Sequence, residues 1–258
     1  MLILADTHVH LHAVFDRDTA LDAALAHMDY RAAGRAYRGV LCLVDSEPVR
    51  SEDRLGESGA RQRWRLKQEA EGGAWRAENA AGRILYVLPG RQIISRENLE
   101  VLALDCRLTL ADRSAGLHDL IDAVIAAGGI PVLPWSFGKW TGRRGRIIEA
   151  ALHQRRDIVL ADNGNRWPNA GEPRLVRLGR DLGLPVWSGS DPLPFPGEVN
   201  RIGCCGIRFN MKDDDGIAPG QALRRALTDA EVQTYRAPCS FTRFVSAMVK
   251  MQARKRLR

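Results

Sequence analysis

Short apolar runs alternate along the chain with longer segments in which apolar residues recur at the spacing of a helix. Continuous apolar runs bounded by polar residues or glycine are typical of strands that are covered on both faces, as in parallel sheets. These runs predict strands at residues 1–4, 39–44, 83–88, 91–95, 99–104, 130–134, 158–161, 184–187 and 202–209. The predicted helices are residues 19–38, 116–127, 146–154, 175–182, 219–228 and 240–256.

This alternation predicts an α/β fold with a largely parallel sheet, and the number of units favours a closed or nearly closed barrel. No internal repeat or linker divides the 258 residues, so we expect a single barrel domain over residues 1–258. Residues 51–82 are rich in Arg, Glu, Gln and Ala and predict a helical insertion. Residues 210–258 are expected to form a helical, basic C-terminal extension.

Side chains that can bind a metal follow the first strand directly. Asp6, His8, His10 and His12 occupy alternate positions, and alternate residues of a strand point to the same face. Imidazole and carboxylate groups are favoured ligands of zinc, manganese and iron. The alternative is an exposed polar strand end whose histidines form only hydrogen bonds. Because half of the six histidines fall within five residues, the pattern favours a metal site.

Further polar residues stand at the ends of later predicted strands, where the functional residues of α/β barrels collect. Asp45 follows the strand at 39–44, Gln92 lies in the strand at 91–95, and Asp191 follows the strand at 184–187. His8 and His10 together with Asp191 would hold one ion and leave positions open for water. Metal-assisted hydrolysis requires this arrangement.

The order of these motifs resembles that of the PHP family, the polymerase-and-histidinol-phosphatase-type metal-dependent phosphoesterases. The motifs, spread over residues 2–191, are Asp-x-His-x-His, an apolar strand ending in Asp, Gly-x-Gln, Gly-Gly-Ile-Pro-Val-Leu-Pro and Leu-Gly-Leu-Pro-Val-Trp-Ser-Gly-Ser-Asp. The resemblance implies a distorted (β/α)7 TIM-like barrel. It also implies a metal-activated water that attacks phosphorus.

By this resemblance, His8 and His10 match the first histidine pair of the family, and Asp191 matches the late aspartate on the same metal. Asp45 matches the aspartate of the Thr-Asp-His motif. The resemblance gives Asp45 and Gln92 a catalytic role, in which they support this ion or a second one.

Four positions depart from the family pattern, and each departure removes a metal ligand. Ser46 replaces the histidine of the Thr-Asp-His motif, and Gln92 replaces a bridging glutamate. Pro134-Trp135 replaces an Ala-His-Pro strand end, and Leu193 replaces the final histidine. The multi-metal cluster of the family cannot form in full, so the sequence predicts one divalent ion (Zn, Mn or Fe) or none.

Two groupings suggest how a substrate is bound. Lys139, Arg143 and Arg144 lie among glycines just before a predicted helix, which suits an anion or phosphate, although a solvated basic loop is an equal alternative. Trp135 and Asn163 stand at strand ends. Trp135, like Trp140, Trp167 and Trp187, either closes the barrel core or walls a pocket. Asn163 either orients a ligand or belongs to a surface turn.

Net charge and cysteine content indicate which kind of partner the protein binds and which cellular compartment it occupies. The net charge of +7 fits an anionic partner, either a phosphate-containing small molecule or nucleic acid. No apolar run is long enough to span a membrane, and we expect no secretory signal. Five cysteines without Cys-x-x-Cys spacing predict a reducing compartment and hence a cytoplasmic protein.

The sequence leaves the enzymatic status open between two hypotheses. The first is a PHP-like metal-dependent hydrolase, specifically a phosphoesterase. The second is a catalytically degenerate PHP barrel that binds an anionic ligand or nucleic acid. An amidohydrolase-type barrel also opens with His-x-His, but it needs further histidines after later strands, and this sequence has none there.

Overall fold

The computed structural model describes residues 1–46, 55, 63–69, 73–108, 114–163, 165–166, 171–211, 217–229, 231–237 and 239–256. The helices in these residues are α1 (Arg17–Ala32), α2 (Leu117–Ala126), α3 (Gly142–Gln154), α4 (Arg174–Asp181), α5 (Pro219–Arg225), α6 (Phe241–Arg256) and a 3-10 helix (Pro196–Arg201). The strands are β1 (Leu2–Val9), β2 (Tyr37–Leu43), β3 (Asp45–Ser46), β4 (Trp64–Gln68), β5 (Trp75–Asn79), β6 (Ile84–Leu88), β7 (Gly90–Ile94), β8 (Glu100–Leu104), β9 (Ile130–Trp135), β10 (Val159–Asn163), β11 (Val186–Gly189), β12 (Gly206–Asn210) and β13 (Gln233–Tyr235).

The described strands form two sheets, and the predicted α/β class is confirmed. The first sheet has the order β13-β12-β1-β2-β6-β5-β4, with β1, β2 and β6 parallel. The second has the order β11-β10-β9-β8-β7-β3, with β9, β10 and β11 parallel. The other pairings are antiparallel except for that of β3 with β7.

The hydrophobic core lies on both faces of the sheets, which explains the continuous apolar runs. In β1, Leu2 and Leu4 pack toward α1, whereas Ile3 and Ala5 pack into the space between the two sheets. A third cluster joins β8, β9 and β10 to α2, α3 and α4. Because alternate residues point to opposite faces, a strand buried on both sides must be apolar at every position.

A closed (β/α)7 barrel is not confirmed, because no ladder among the described strands joins the two sheets. Both edges of β1 are already paired, one with β2 and the other with β12. The pairing with β12 ends at Ala5, and β11 approaches the later residues of β1 without forming a ladder. The sheets meet there through several hydrogen bonds, among them the Asp191 N–H donating to the His8 carbonyl over 2.8 Å and the Thr7 hydroxyl donating to the Ser188 carbonyl over 3.0 Å.

The helical prediction for residues 51–82 is wrong where the structure describes this segment. Strands β4 and β5 pair with each other, and β5 pairs with β6, so the segment extends the first sheet. The Trp64 side chain is fully buried and donates to Asp22 of α1 over 2.7 Å. These tertiary contacts outweigh the helix propensity of the Arg, Glu, Gln and Ala residues. Residues 51–54, 56–62 and 70–72 of the prediction lie outside the described residues.

Helix α1 and the C-terminal extension differ from the sequence predictions. Helix α1 ends at Ala32 because Ala33 and Gly34 adopt left-handed backbone conformations, with φ of 50° and 81°. The C-terminal extension is not wholly helical, since β13 adds an edge strand beside β12 between α5 and α6. None of the described helices combines the length and the apolarity that a membrane span requires.

Replacing Asp16 with alanine should lower the free energy of unfolding by about 1 kcal/mol. The Asp16 carboxylate caps α1 by accepting from the Thr19 N–H and hydroxyl over 2.8 and 2.6 Å. These bonds lower the pKa of Asp16, so the stabilisation is present at neutral pH and is lost as the pH falls through the folded-state pKa. In urea unfolding, the difference from the unaltered protein should shrink in acid. Asp16→Asn keeps an acceptor and serves as the control, and equal stability of Asp16→Ala at neutral pH would contradict the prediction.

Candidate metal centre

Three potential metal ligands from distant parts of the chain converge where β1 meets the end of β11. The Nε2 atoms of His8 and His10 are 3.1 Å apart. Oδ1 of Asp191 lies 3.4 Å from the first and 3.6 Å from the second. Both histidines are buried, and the Asp191 side chain is partly buried. Within the described residues, these three form the group of His, Cys, Asp and Glu side chains that is arranged to hold an ion.

Irregular backbone places these side chains together. The pairing of β1 with β2 shifts in register between Asp6 and Val9, and such a bulge changes the direction of the side chains within it. Asp191 has a φ of 43°, a left-handed conformation that aspartate tolerates better than most residues. A Cβ atom on Gly189 would lie 2.4 Å from the Cβ of His8, so only glycine allows β11 to approach this closely.

The spacing of the three ligand atoms fits a shared divalent ion. Zinc bonds to histidine nitrogen and carboxylate oxygen are about 2.0–2.1 Å long, so tetrahedral ligand atoms lie about 3.3 Å apart. The observed distances, 3.1, 3.4 and 3.6 Å, bracket this value. The Nδ1 atom of His8 is buried and has no hydrogen-bond partner among the described residues. The orientation of this ring is therefore set by packing against β11.

The protonation states also suit a metal. Burial, reinforced by the neighbouring His8, lowers the pKa of His10 to about 3, so this imidazole is neutral at physiological pH. Burial acts to raise the pKa of Asp191, but His8, His10 and Lys139 together hold it below its ordinary value. A neutral imidazole and an ionised carboxylate are the forms that bind metal.

Asp6 and His12 share the alternating pattern of the two histidine ligands but have other contacts. The buried Asp6 carboxylate accepts from the backbone N–H groups of His8, Ser190 and Gly203 over 3.2, 2.9 and 2.8 Å. Burial raises the pKa of Asp6 to about 6. His12 lies beyond β1, where its ring stacks on His10 and its Nε2 contacts the Pro192 carbonyl at 2.9 Å. Asp6 thus joins three segments of backbone around the centre.

A polar chain beside the histidines contains a residue that sequence reasoning missed. Gln92 forms a hydrogen bond with His10, and its amide donates to Glu100 over 3.1 Å. Glu100 also forms an ion pair with Lys139. Glu100 lies at the first position of β8 and has no motif around it. The antiparallel pairing of β7 with β8 was the signal that would have placed it beside Gln92.

The three cations that were predicted to bind an anion, Lys139, Arg143 and Arg144, have different surroundings in the structure. Lys139 is paired with Glu100 and lies close enough to Asp191 to influence its pKa. Arg143 is exposed in the first turn of α3. Arg144 donates to the Gly138 carbonyl over 3.1 Å in the same loop. Of the three cations, Lys139 therefore acts on the centre, and Arg143 and Arg144 lie farther along the chain at the start of α3.

The tryptophans at the strand ends belong mainly to the core. Trp187 is fully buried between the sheets, and Trp140 is buried against α3 and α4. Trp135 ends β9 and packs, partly buried, against the same cluster as Trp140. Trp167 lies outside the described residues. Trp140 and Trp187 are therefore core residues, whereas part of the Trp135 side chain is exposed to solvent.

The other sequence candidates lie at neighbouring strand ends. Asp45 is buried at the start of β3 beside Arg91 of β7, and it is not a member of the three-residue group. Asn163 ends β10 opposite Gly189, and its side chain lies outside the described residues. Asn165 donates to the Asp191 carbonyl over 3.0 Å and thereby supports the carboxylate ligand.

Comparison with known proteins identifies the fold. No family model and no curated protein matches the sequence. The crystal structure of PsfC from Pseudomonas syringae PB-5123 is similar, with a TM-score of 0.58, 19% identity and coverage of 98% of each chain. A two-domain protein from Bacteroides vulgatus ATCC 8482, which contains a predicted PHP-like metal-dependent phosphoesterase, has a TM-score of 0.50 and 12% identity, covering 92% of this chain and 65% of that one. This chain has a PHP-type fold.

A third similar structure is the novel lesion-specific endonuclease PfuEndoQ from Pyrococcus furiosus, with a TM-score of 0.52 and 10% identity. The match covers 91% of this chain and 58% of the endonuclease. This PHP-type chain therefore spans less than two thirds of the length of the endonuclease and of the two-domain protein.

Proposed function

We propose that the protein is a metal-dependent hydrolase, specifically a phosphoesterase, in which His8, His10 and Asp191 hold one divalent ion. The observation that carries the proposal is the convergence of their ligand atoms within 3.1–3.6 Å on a PHP-type fold. Two similar proteins are described as a PHP-like phosphoesterase and an endonuclease, which both suggest phosphorus chemistry. We interpret the two abutting sheets as an opened form of the distorted seven-stranded barrel.

The ion and the residues around it would have different roles in hydrolysis. A divalent zinc, manganese or iron ion supplies Lewis acidity and activates water near neutral pH. Gln92 would hold the His10 ring through their hydrogen bond. Asp45, by the resemblance to the PHP family, would support this ion or a second one. Lys139 would exchange its Glu100 partner for the phosphoryl group of the substrate, because a phosphomonoester carries more negative charge than a single carboxylate.

The outer part of the proposed site would bind the remainder of an anionic small molecule. Arg143 and Arg144 add positive charge at the start of α3, where backbone N–H groups also favour an anion. Trp135 and Asn163 end adjacent strands and would form the wall of the site. All five cysteines are buried thiols, which supports a reducing, cytoplasmic setting.

Metal content and hydrolysis, measured together, test the proposal. Protein purified without added metal should contain up to one equivalent of zinc, manganese or iron by elemental analysis. Removal of the ion with a chelator should abolish turnover of a broad panel of phosphoesters, and restoring one of the three metals should recover it. Protein that binds no metal and hydrolyses no phosphoester would contradict the proposal.

The second candidate function is a binding protein on a degenerate PHP-type fold, which recognises an anionic ligand or nucleic acid. Gln92 and Trp135 favour it, because a neutral amide and an indole stand where the family has a carboxylate and an imidazole. Under this hypothesis, phosphorylated ligands bind without being hydrolysed, whatever metal is present. Metal-dependent turnover would exclude it.

Replacing Lys139 with alanine should raise KM for a phosphoester by about 10- to 100-fold, because a hydrogen bond to a charged group contributes about 1.5–3 kcal/mol. Steady-state kinetics with p-nitrophenyl phosphate would measure the change. Lys67→Ala in β4 is the matched control, since it removes an exposed lysine from the first sheet. If the two variants have the same KM as the unaltered protein, Lys139 does not bind the phosphoryl group.

A further inference from the structure

Helix α6 contacts the three consecutive loops that border the metal centre. In the loop after β9, the Phe137 ring packs edge-on against Phe244 of α6, with centroids 5.5 Å apart. In the loop after β11, Phe195 lies under the ammonium of Lys250 of α6, 5.6 Å from the ring centroid. The helix thus extends from the loop after β9 to the loop after β11. We call the surface between these loops the mouth of the centre.

The third contact brings α6 to within two hydrogen bonds of a metal ligand. Arg243 of α6 donates to the Asn165 side chain, in the loop after β10, over 3.4 Å. The Asn165 amide in turn donates to the backbone carbonyl of Asp191 over 3.0 Å. Arg243 also donates to Glu198, in the 3-10 helix after β11, over 2.5 Å. The helix is therefore fixed directly beside the centre.

Little of the ligand set is accessible with α6 in this position. His8 is 2% exposed, His10 is 9% exposed and the Asp191 side chain is 19% exposed. A nucleic-acid strand needs a groove in which the nucleotides on both sides of the reacting phosphate can lie. Ligand side chains with so little exposed surface can be reached by a compact phosphorylated molecule more readily than by a strand.

The charges around the mouth support the same conclusion. Lys139 is paired with Glu100, and Arg243 is paired with Glu198. The buried carboxylate of Asp162, near the end of β10, forms ion pairs with both Arg166 and Arg236. Grooves that bind single strands instead present lysine and arginine to the phosphate backbone together with stacking aromatic rings. Here Lys139, Arg166, Arg236 and Arg243 are each paired with a carboxylate of the protein, which reduces the positive charge that a phosphate backbone would meet.

We propose that α6 covers the mouth of the centre and limits its substrates to small phosphomonoesters, excluding nucleic-acid strands. This inference rests on the proposed hydrolase function and specifies its substrate class. Phe244 is a specificity-determining residue in this account, because its contact with Phe137 holds the first half of α6 over the loop after β9. Neither residue takes part in the chemical step.

Two substrates measured in the manganese-loaded, full-length protein test the inference. The unaltered protein should hydrolyse thymidine 5′-monophosphate with a kcat/KM about 100-fold or more above that for a 5′-phosphorylated oligothymidylate, which has the same type of leaving group. Phe244→Ala combined with Phe137→Ala should raise the relative kcat/KM for the oligothymidylate by about 10-fold, because the ring contact that holds α6 is lost. Val249→Ala, which shortens an exposed side chain on the same helix, should leave the ratio unchanged.

The possible outcomes separate the two claims. An oligothymidylate that is hydrolysed as efficiently as thymidine 5′-monophosphate would overturn the inference and leave the hydrolase proposal intact. Absence of metal and of turnover with either substrate would overturn the hydrolase proposal and, with it, the inference. The ratio for the unaltered protein decides the question even if the double variant fails to fold.

Discussion

Replacing His8 or His10 with alanine should remove the bound metal and reduce hydrolysis by about 1000-fold or more. Each substitution deletes one of three ligand atoms that lie within 3.1–3.6 Å of one another, and two ligands hold a divalent ion much more weakly than three. Without the ion, water at neutral pH is a poor nucleophile because its pKa is about 15.7 rather than about 7. Elemental analysis and phosphoester kinetics on the same preparations would measure both effects.

The control for this experiment is His153→Ala, because His153 is an exposed histidine in the last turn of α3. It should keep both the metal and the activity of the unaltered protein. His8→Ala protein that retains stoichiometric metal and full turnover would place the catalytic centre elsewhere. Circular dichroism of each variant would distinguish loss of a ligand from loss of the fold.

Replacing Asp6 with alanine should destabilise the protein by about 3 kcal/mol or more. The Asp6 carboxylate accepts from three backbone N–H groups, and each buried donor left without a partner costs about 1–3 kcal/mol. Because one of these donors belongs to His8, the variant should also bind metal less tightly. Urea unfolding of metal-free protein would measure the stability separately from the metal.

Two further variants serve as an intermediate and a control for Asp6→Ala. Asp6→Asn keeps one acceptor oxygen and should lie between the alanine variant and the unaltered protein. Asp181→Ala removes an exposed aspartate at the end of α4 and should change the free energy of unfolding by no more than about 0.5 kcal/mol. If Asp6→Ala matches Asp181→Ala, the three hydrogen bonds contribute little to the fold.

The parts of the candidate site that sequence could predict are those with a local pattern. His8 and His10 stand out because they follow an apolar strand at alternate positions. Asp191 ends a later strand, and the resemblance to the PHP family assigned it to the same ion. Strands and helices with clear periodicity, such as β9 and α2, were likewise placed to within a few residues.

The parts that sequence could not predict depend on contacts between distant segments. Glu100 lies beside Gln92 only because β7 and β8 pair in one register, and nothing local distinguishes it from an exposed strand carboxylate. The segment containing Trp64 has a helical composition, yet it forms a strand because the indole is buried against α1. The antiparallel pairing of β12 with the first half of β1 is likewise a contact between the two ends of the chain, and no local pattern announces it.

The candidate ligands of the centre lie in or just after β1 and just after β11, and this separation along the chain has a thermodynamic consequence. An ion shared by His8 and Asp191 would act as a cross-link that closes a loop containing most of the protein. The unfolded chain cannot supply such a site, so the free energy of ion binding adds to the stability of the fold. Heat tolerance should therefore track the supply of metal, and a chain starved of the ion would unfold more often and be degraded sooner.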